Sequence, residues 1–384
     1  MTSLAKKILG GILALIIIIA AGIYLYKREH REITLTPLVQ SQEESVIAAT
    51  MPTPGQGSVS PVKEPTAATP KAQDATPPPP PPLPLGTDQF TVSLTATGDD
   101  QIADNLLAGG YITDAASFTA ILNKHKIPVA PGAYKISKEM TPTQLDTVLH
   151  NKPYMVWVVI PPGLRKEEIA ALLTSSLGWT SKQEKTWITV DTATPPEDVE
   201  GVYYPDTYLI PIGEDPATTA KRLLAKFNEN FAPYLPQFTA KNINWARALT
   251  LASIVQREAA NNADMPLIAG ILWNRLNQNI ALGVDATLQY ARGNTGNGWW
   301  APIAVADKQI DSPFNTYKYK GLPPHPISNP GIAAIEAVLN PTQTDCLYYL
   351  HDKNRVTHCA ATYAEHEANI QKYLVEGTST TTNQ

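Results

Sequence analysis

The amino-acid sequence predicts an α+β protein that follows a transmembrane helix and a disordered linker. The first 88 residues hold one long apolar run and then a proline-rich stretch, and neither can form a globular core. From residue 89 onward, short runs with strand-like alternation are mixed with longer segments of helical periodicity. The chain has 384 residues, 17% charged and 43% hydrophobic, which is long enough for two or more domains.

Residues 8–26 form an uncharged, strongly apolar run. As a helix they would span about 28 Å, close to the thickness of the hydrocarbon core. The run is longer than a signal-peptide core of roughly 7–15 residues, so we predict an uncleaved transmembrane anchor. Basic residues flank it on both sides, at 6–7 and at 27–31, so charge alone does not set its orientation.

Residues 27–88 predict a disordered, partly polyproline II linker. They are rich in Pro, Thr, Ala and Ser, contain no aromatic residue, and include an unbroken proline run at 77–82. Such a composition cannot bury enough apolar surface to offset the entropy of ordering the chain.

The globular part divides into two predicted regions. Residues 89–185 predict an α+β region, with strands at 90–94, 132–136 and 155–160 and helices at 100–107, 114–123, 143–149 and 165–173. Residues 186–376 predict a mixed, mainly helical domain, with helices at 218–231, 245–260, 266–277 (capped by Asp264), 331–339 and 363–374. The polar tail at 377–384 is predicted to be disordered.

The two cysteines, Cys346 and Cys359, flank two short strand-like runs around 351–354. In a hairpin they would lie nearly opposite one another, which allows a disulfide and would indicate an oxidising compartment. Two buried free thiols are the equal alternative.

Composition and charge exclude some classes of function. The net charge is −5 and no Lys/Arg-rich run carries interleaved aromatics, so nucleic acid is not an expected partner. No Cys pair has metal-ligand spacing and the seven histidines are scattered, so neither a catalytic metal nor a cofactor is expected.

Glu258 is the most informative residue. It ends the run L-A-S-I-V-Q-R-E (251–258), where Leu251, Ile254 and Val255 share its helical face. A carboxylate on an apolar stripe is costly unless it is paired or protonated, and burial raises its pKa toward the range of a general acid. The alternatives are a surface Glu at the rim of the stripe, or a partner of a buried Arg such as Arg275.

Five segments in the second region form a pattern. They are E-G-V-Y-Y-P-D-T-Y (200–208), the Glu258 helix, N-R-L (274–276), L-G-V-D-A-T-L-Q-Y (282–290) and S-P-F-N-T-Y (312–317), the last running into G-L-P-P-H-P-I (321–327) and N-P-G (329–331). Together they resemble the endolytic murein transglycosylases, a family of membrane-anchored enzymes also called MltG or YceG-like proteins. The resemblance covers roughly residues 90–375. The chain departs from it at His325, where the family commonly has Gly.

The resemblance implies a fold, a substrate and a location. It makes 186–376 the catalytic domain, with Glu258 as its acid/base, and implies a small LysM-like sugar-binding subdomain within 89–185. The strand, turn and helix at 155–173 resemble such a module. The implied partners are peptidoglycan glycan strands, the cytoplasmic (inner) membrane and, nearby, the peptidoglycan synthases. The catalytic domain would lie on the outer, periplasmic side, and residues 1–7 in the cytoplasm.

The implied reaction needs one carboxyl group and yields 1,6-anhydro sugar ends. Two alternatives stay open. The same Glu258 would serve a muramidase that admits water and leaves reducing ends. A non-catalytic peptidoglycan-binding tether would use only the sugar-binding unit and the long linker.

Several other residues are candidates for substrate binding. Asp285 is either a second carboxylate and substrate ligand or a helix N-cap. Asn315 and Tyr317 lie on a loop that can reach sugar hydroxyls, the alternatives being a turn former and a core aromatic. Gln289 is a similar candidate, whereas its neighbour Tyr290 is expected in the core. The remaining polar and aromatic residues of interest have mainly structural alternatives: Asn274, Arg275, the pair Trp299 and Trp300, and His366, which we expect to pack and not to be catalytic.

Overall fold

The computed structural model describes residues 77–79, 82–95, 98–192 and 200–375. The predicted anchor at 8–26, most of the linker and the tail lie outside these residues. Among the helices of the described part, none combines the length and the apolar character needed to cross a bilayer.

The described residues form an α+β fold. The elements, in chain order, are β1 (Asp88–Val92), α1 (Asp99–Ala108), α2 (Ala115–Leu122), β2 (Gly132–Ile136), α3 (Pro142–Leu149), β3 (Met155–Val159), α4 (Lys166–Leu177), α5 (Ser181–Thr186), β4 (Thr207–Pro211), α6 (Pro216–Phe231), α7 (Leu235–Ala240), α8 (Trp245–Glu258), α9 (Met265–Asn277), α10 (Asp285–Arg292), α11 (Ile332–Leu339), β5 (Tyr348–His351), β6 (Thr357–Ala360) and α12 (Tyr363–Asn369). Short π-helical turns follow α5 and α12, and 3₁₀ turns follow α6 and precede the 312–317 loop.

Strands β1 to β4 form one antiparallel sheet in that order. Five residue pairs join β1 to β2, and five join β3 to β4, including Val158 with Tyr208. A single pair, Ala133 with Met155, joins β2 to β3. The sheet is therefore continuous, but few residue pairs join its two halves. The pairing of β4 with β3 places the end of the 200–208 motif beside β3.

Most buried hydrophobic residues form two separate cores. The smaller is built from residues between Phe90 and Leu149, on β1, α1, α2, β2 and α3. The larger begins with Val158 and Ile160 and takes in α4 together with the helices that follow. The smaller core thus ends at Leu149, and the larger core begins at Val158. The strand, turn and helix at 155–173 are part of the larger core. The predicted boundary at 185 and the sugar-binding role stay predictions.

Helix α8 is the centre of the larger core. Asn244 caps it, its side-chain oxygen accepting the N–H groups of Ala246 and Arg247, and every residue from 248 to 255 is buried. α8 packs against α9, α10 and α11. Gly270 lets α9 approach the chain after α11, because a Cβ there would lie 2.2 Å from the carbonyl oxygen of Thr342.

Some helix ends differ from the sequence prediction. α8 ends at Glu258, two residues earlier than predicted, because Ala259 is extended. Asp264 occupies the N-cap position of α9, but its side chain accepts no hydrogen bond from the helix and instead accepts one from Asn261. The predicted cap position at Asp264 is therefore confirmed, although its side chain makes no hydrogen bond to the helix. β1 begins at Asp88, the last residue of the predicted linker.

Strands β5 and β6 form a hairpin closed by a disulfide between Cys346 and Cys359, whose Cα atoms are 5.8 Å apart. The Asp352 carboxylate holds the turn by accepting the N–H groups of Asn354 and Val356. Of the two alternatives that the sequence leaves open, the structure has the disulfide.

Candidate active site

Glu258 is the last residue of α8, at the end of its buried stripe. Leu251, Ile254 and Val255 are fully buried on this helix, whereas Glu258 is partly exposed. The helix thus places a carboxyl group at the boundary between core and solvent, where a ligand can reach it.

The groups around Glu258 shift the pKa of its carboxyl in opposite directions. Burial is the main cause that raises the pKa of its carboxyl, and the nearby negative charge of Asp285 acts in the same direction. The Tyr349 hydroxyl donates to Glu258 Oε2 at 2.7 Å, and this bond, the Ala286 backbone N–H and the Arg257 charge lower the pKa. The net result is a raised pKa, which suits a general acid.

Arg275 is not the partner of Glu258. Its guanidinium donates to the backbone carbonyls of Ala281 and Leu347, the latter at 2.8 Å. Asn274 likewise donates to the carbonyls of Thr344 and Cys346. Both residues therefore fasten α9 to the segment that leads into the strand carrying Tyr349.

Asp285 and Tyr317 lie beside Glu258 and are bonded to each other. Asp285 is exposed and is the first residue of α10, while Val284 holds the N-cap position, so the N-cap interpretation of Asp285 is wrong. Its carboxylate accepts the Tyr317 hydroxyl. The charge of Glu258 contributes to a raised pKa of Tyr317, after burial and Asp285. These two predicted residues therefore share the electrostatic environment of Glu258.

Asn315 and Gln289 are engaged by the protein itself. Asn315 is fully buried, donates to the carbonyls of Lys308 and Ile310, and accepts the N–H of Tyr317. Gln289 donates to the carbonyl of Trp300. These bonds shape the loops around the site, and contact of either residue with a substrate stays a prediction.

The two tryptophans pack on guanidinium groups. Arg165 lies between Tyr290 and Trp299, with its Cζ 4.2 Å and 4.3 Å from the two ring centroids. Arg257 Cζ lies 3.9 Å from the ring centroid of Trp300. The charge of Arg257 also interacts with the Glu258 carboxyl.

A second carboxyl, Glu200, is buried and was not singled out from the sequence. It is 3% exposed, and its Oε1 accepts the Lys166 N–H at 2.8 Å and the Asn329 side-chain amide at 2.7 Å. Its Oε2 accepts the Tyr290 hydroxyl at 3.4 Å. Burial, with a contribution from Glu167, raises its pKa to about 8. The 200–208 motif gave its position, but only the fold shows its burial.

The histidines of the larger region pack against other rings. The His325 ring lies 4.7 Å from the Phe314 ring, near Tyr290, and its Nδ1 donates to the carbonyl of Pro326. His366 stacks on Tyr348, and burial lowers its pKa.

Within the described residues, one group brings three metal-ligand atoms within 4.8 Å: His125, Asp146 and His150. It belongs to the small core region, around α3. Both rings are hydrogen-bonded to Asp146, and they stack 3.6 Å apart with an interplanar angle of 21°. Nearly parallel rings have no nearby point that lies in both ring planes, so this geometry describes a hydrogen-bonded cluster and not a formed metal site.

The amino-acid sequence is similar to those of known proteins. The chain is 30% identical over 288 residues to an endolytic murein transglycosylase of Streptococcus pneumoniae serotype 2, covering 65% of this chain and 52% of that protein. It is 30% identical over 273 residues to one of Bacillus subtilis strain 168, covering 63% of this chain and 72% of that protein. The chain thus spans about half the length of the pneumococcal relative.

The fold also matches a crystal structure of a yceG-like protein from Listeria monocytogenes. The TM-score is 0.51 at 25% sequence identity, over 74% of this chain and 98% of that one. The profile of the YceG-like family matches residues 92–372, which include the larger core, the smaller core except Phe90, Glu258 and the disulfide-closed hairpin. Because this match takes in well over half of the sequence, the chain belongs to the YceG-like family.

Proposed function

We propose that this protein is a lytic transglycosylase that cleaves the bond between N-acetylmuramic acid and N-acetylglucosamine in peptidoglycan glycan strands. The observation that carries the proposal is Glu258: a partly exposed carboxyl with a raised pKa, held by a hydrogen bond at the end of a buried helix. The names of the relatives support the same reaction class.

One carboxyl group can perform both halves of the reaction. Protonated Glu258 gives its proton to the glycosidic oxygen, and the bond from that oxygen to C1 of the muramic residue breaks. The carboxylate then takes the proton of the muramic C6 hydroxyl, whose oxygen attacks C1. The products are a 1,6-anhydro end and a free 4-hydroxyl on N-acetylglucosamine. No water is consumed and the proton on Glu258 is restored.

Asp285 supplies the second charge near the reacting centre. Its carboxylate keeps the pKa of Glu258 higher and so favours the acid form before cleavage. The same negative charge also stabilises positive charge that develops on the sugar ring in the transition state.

The membrane location is part of the proposal. The apolar run at 8–26 would anchor the chain in the cytoplasmic membrane, and the linker at 27–88 would let the globular part reach glycan strands on the outer side. There it would meet new strands beside the peptidoglycan synthases. The disulfide between Cys346 and Cys359 supports an oxidising compartment.

Two alternatives give different products. A muramidase would use Glu258 with water and leave reducing ends. A tether would bind glycan without cutting it, but it would have no use for a costly, partly buried carboxyl.

The deciding experiment compares wild type with Glu258→Gln on purified glycan strands, using the full chain in detergent and mass spectrometry of the products. We expect anhydro ends from wild type and a rate lower by about 10²–10⁴-fold or more in the variant. Glu139→Gln, an exposed carboxyl of the smaller region, is the matched control and should keep full activity. Reducing ends would establish the muramidase, and binding without cleavage the tether.

A further inference from the structure

We propose that Tyr349 is a positioning residue for Glu258, held in place by the disulfide-closed β5–β6 hairpin. The proposal rests on the proposed function, because it assigns a role in the same reaction. Tyr349 would fix the rotation of the Glu258 carboxyl plane and stabilise its ionised form after the proton has been given away.

The contact is long-range in sequence and direct in space. The Tyr349 hydroxyl donates to Glu258 Oε2 at 2.7 Å across a separation of 91 residues. Burial and the charge of Glu258 hold the pKa of Tyr349 well above its usual range, so the phenol keeps its proton and acts as the donor. A hydrogen bond to a charged acceptor is among the stronger ones in proteins.

Contacts within the hairpin and from α9 hold the strand that carries the hydroxyl. Tyr349 pairs with Cys359 across the two strands, and the disulfide ties Cys359 to Cys346 beside β5. Arg275 donates to the carbonyl of Leu347 at 2.8 Å. The strand is therefore fastened both to its partner strand and to α9, so the hydroxyl has little freedom to leave Glu258.

Among the described residues, the groups that shift the pKa of Glu258 lie on three different elements. Arg257 lies on its own helix α8, Asp285 on α10 and Tyr349 on β5, together with the Ala286 backbone N–H. Tyr317 interacts directly with the Glu258 charge, and Arg275 acts on both Tyr317 and Tyr349. Among them Tyr349 is the side chain that donates a hydrogen bond to the carboxylate. Removal of its hydroxyl should therefore raise the pKa of Glu258.

The alternative is that Tyr349 is an ordinary packing aromatic whose hydroxyl only adds stability. The two interpretations differ in the pH dependence of the reaction. A packing residue changes stability or the amount of folded enzyme, whereas a positioning residue changes the pH at which Glu258 loses its proton.

The test is Tyr349→Phe in the full chain, measuring kcat/KM on glycan strands from pH 4 to 9. Loss of the donor destabilises the carboxylate form, so the high-pH limb should move up by about one pH unit. At the optimum, kcat should fall by roughly tenfold through lost orientation. Tyr348→Phe is the control, because its ring lies on the other face of β5 and stacks on His366. Its profile should equal that of wild type.

A second measurement separates this proposal from the proposed function. Titration of the Glu258 carboxyl by carbon NMR, assigned from Glu258→Gln, needs no turnover and should show the same upward shift in Tyr349→Phe. An unchanged titration would overturn the positioning role even if glycan is cleaved. A shift without any glycan cleavage would keep the role and reject the proposed reaction.

A variant that keeps the hydroxyl guards against misfolding of Tyr349→Phe. Incorporation of 3-fluorotyrosine at position 349 makes the phenol a stronger donor and should move the Glu258 titration to lower pH. A shift in the same direction as Tyr349→Phe, or none, would contradict the proposal.

Discussion

At the scale of single residues, the chemistry of Glu258 depends on a balance between opposing neighbours. Burial and Asp285 favour the protonated carboxyl, while Tyr349, Ala286 and Arg257 favour the ionised one. In the proposed reaction Glu258 needs both forms in turn, first to donate a proton and then to accept one. A site that favoured either form completely would slow one of the two steps.

Asp285→Asn tests the other side of this balance. Removing the negative charge makes ionisation of Glu258 easier and lowers its pKa, so the high-pH limb of kcat/KM should move to lower pH. We expect a shift of about half a pH unit, opposite in sign to that of Tyr349→Phe, and it is measured from the same pH profile. Tyr317→Phe, which keeps the Asp285 charge, is the control for the lost hydroxyl contact. Equal profiles for wild type and Asp285→Asn would contradict the electrostatic role.

At the scale of elements, the site depends on how α8, α10 and the β5–β6 hairpin meet. The hairpin is short, with four residues in each strand. Isolated two-stranded hairpins are marginally stable in water, so the disulfide and the bonds from α9 supply much of its stability.

Removal of the disulfide should loosen the hairpin and then the active site. For the Cys346→Ser/Cys359→Ser variant we expect a loss of unfolding free energy of about 2–3 kcal/mol, as for other short closed loops. Amides of residues 348–360 should exchange faster with deuterium, measured by mass spectrometry. Because Tyr349 would be held less firmly, the pH limb should also move toward that of Tyr349→Phe. Unchanged exchange in the hairpin would show that α9 alone is sufficient.

The sequence predicts α8 well and its partners poorly. Leu251, Ile254 and Val255 mark the buried face of the helix because their spacing is local. No local pattern distinguishes Tyr349 from Tyr348, since only the docking of the hairpin decides which ring faces Glu258. For Asn315 the sequence predicts a loop residue that contacts substrate. In the structure it is fully buried, and its side-chain amide donates to the backbone carbonyl of Lys308.

At the scale of the whole molecule, the sequence predicts the α+β class and most helices, but not the continuous sheet. β4 was missed because T-Y-L-I-P (207–211) is a short run just after Pro205, and its pairing with β3 joins segments about fifty residues apart. The same long-range closure buries Glu200 between α4, α10 and the Asn329 loop.

Glu200 should make the stability of the fold fall as pH rises. Its pKa is about 8 in the folded protein against 4.5 for an ordinary Glu, so the folded state keeps a proton that the unfolded state has lost. The stabilisation is complete below pH 4.5 and is lost as pH rises toward about 8, by about 1.4 kcal/mol for each unit of pKa difference.

The measurement is urea unfolding of the full chain in detergent at several pH values between 5 and 8, followed by tryptophan fluorescence. All seven tryptophans lie between residues 157 and 300, so the signal reports the globular part. Glu200→Gln keeps an acceptor for Lys166 and Asn329 but cannot ionise, so it should remove the Glu200 contribution to the pH slope. The free energy of unfolding should therefore fall more between pH 5 and pH 8 in wild type than in the variant. Parallel stability curves would mean that Glu200 is ionised in the folded state, with Arg165 and Lys166 compensating its buried charge.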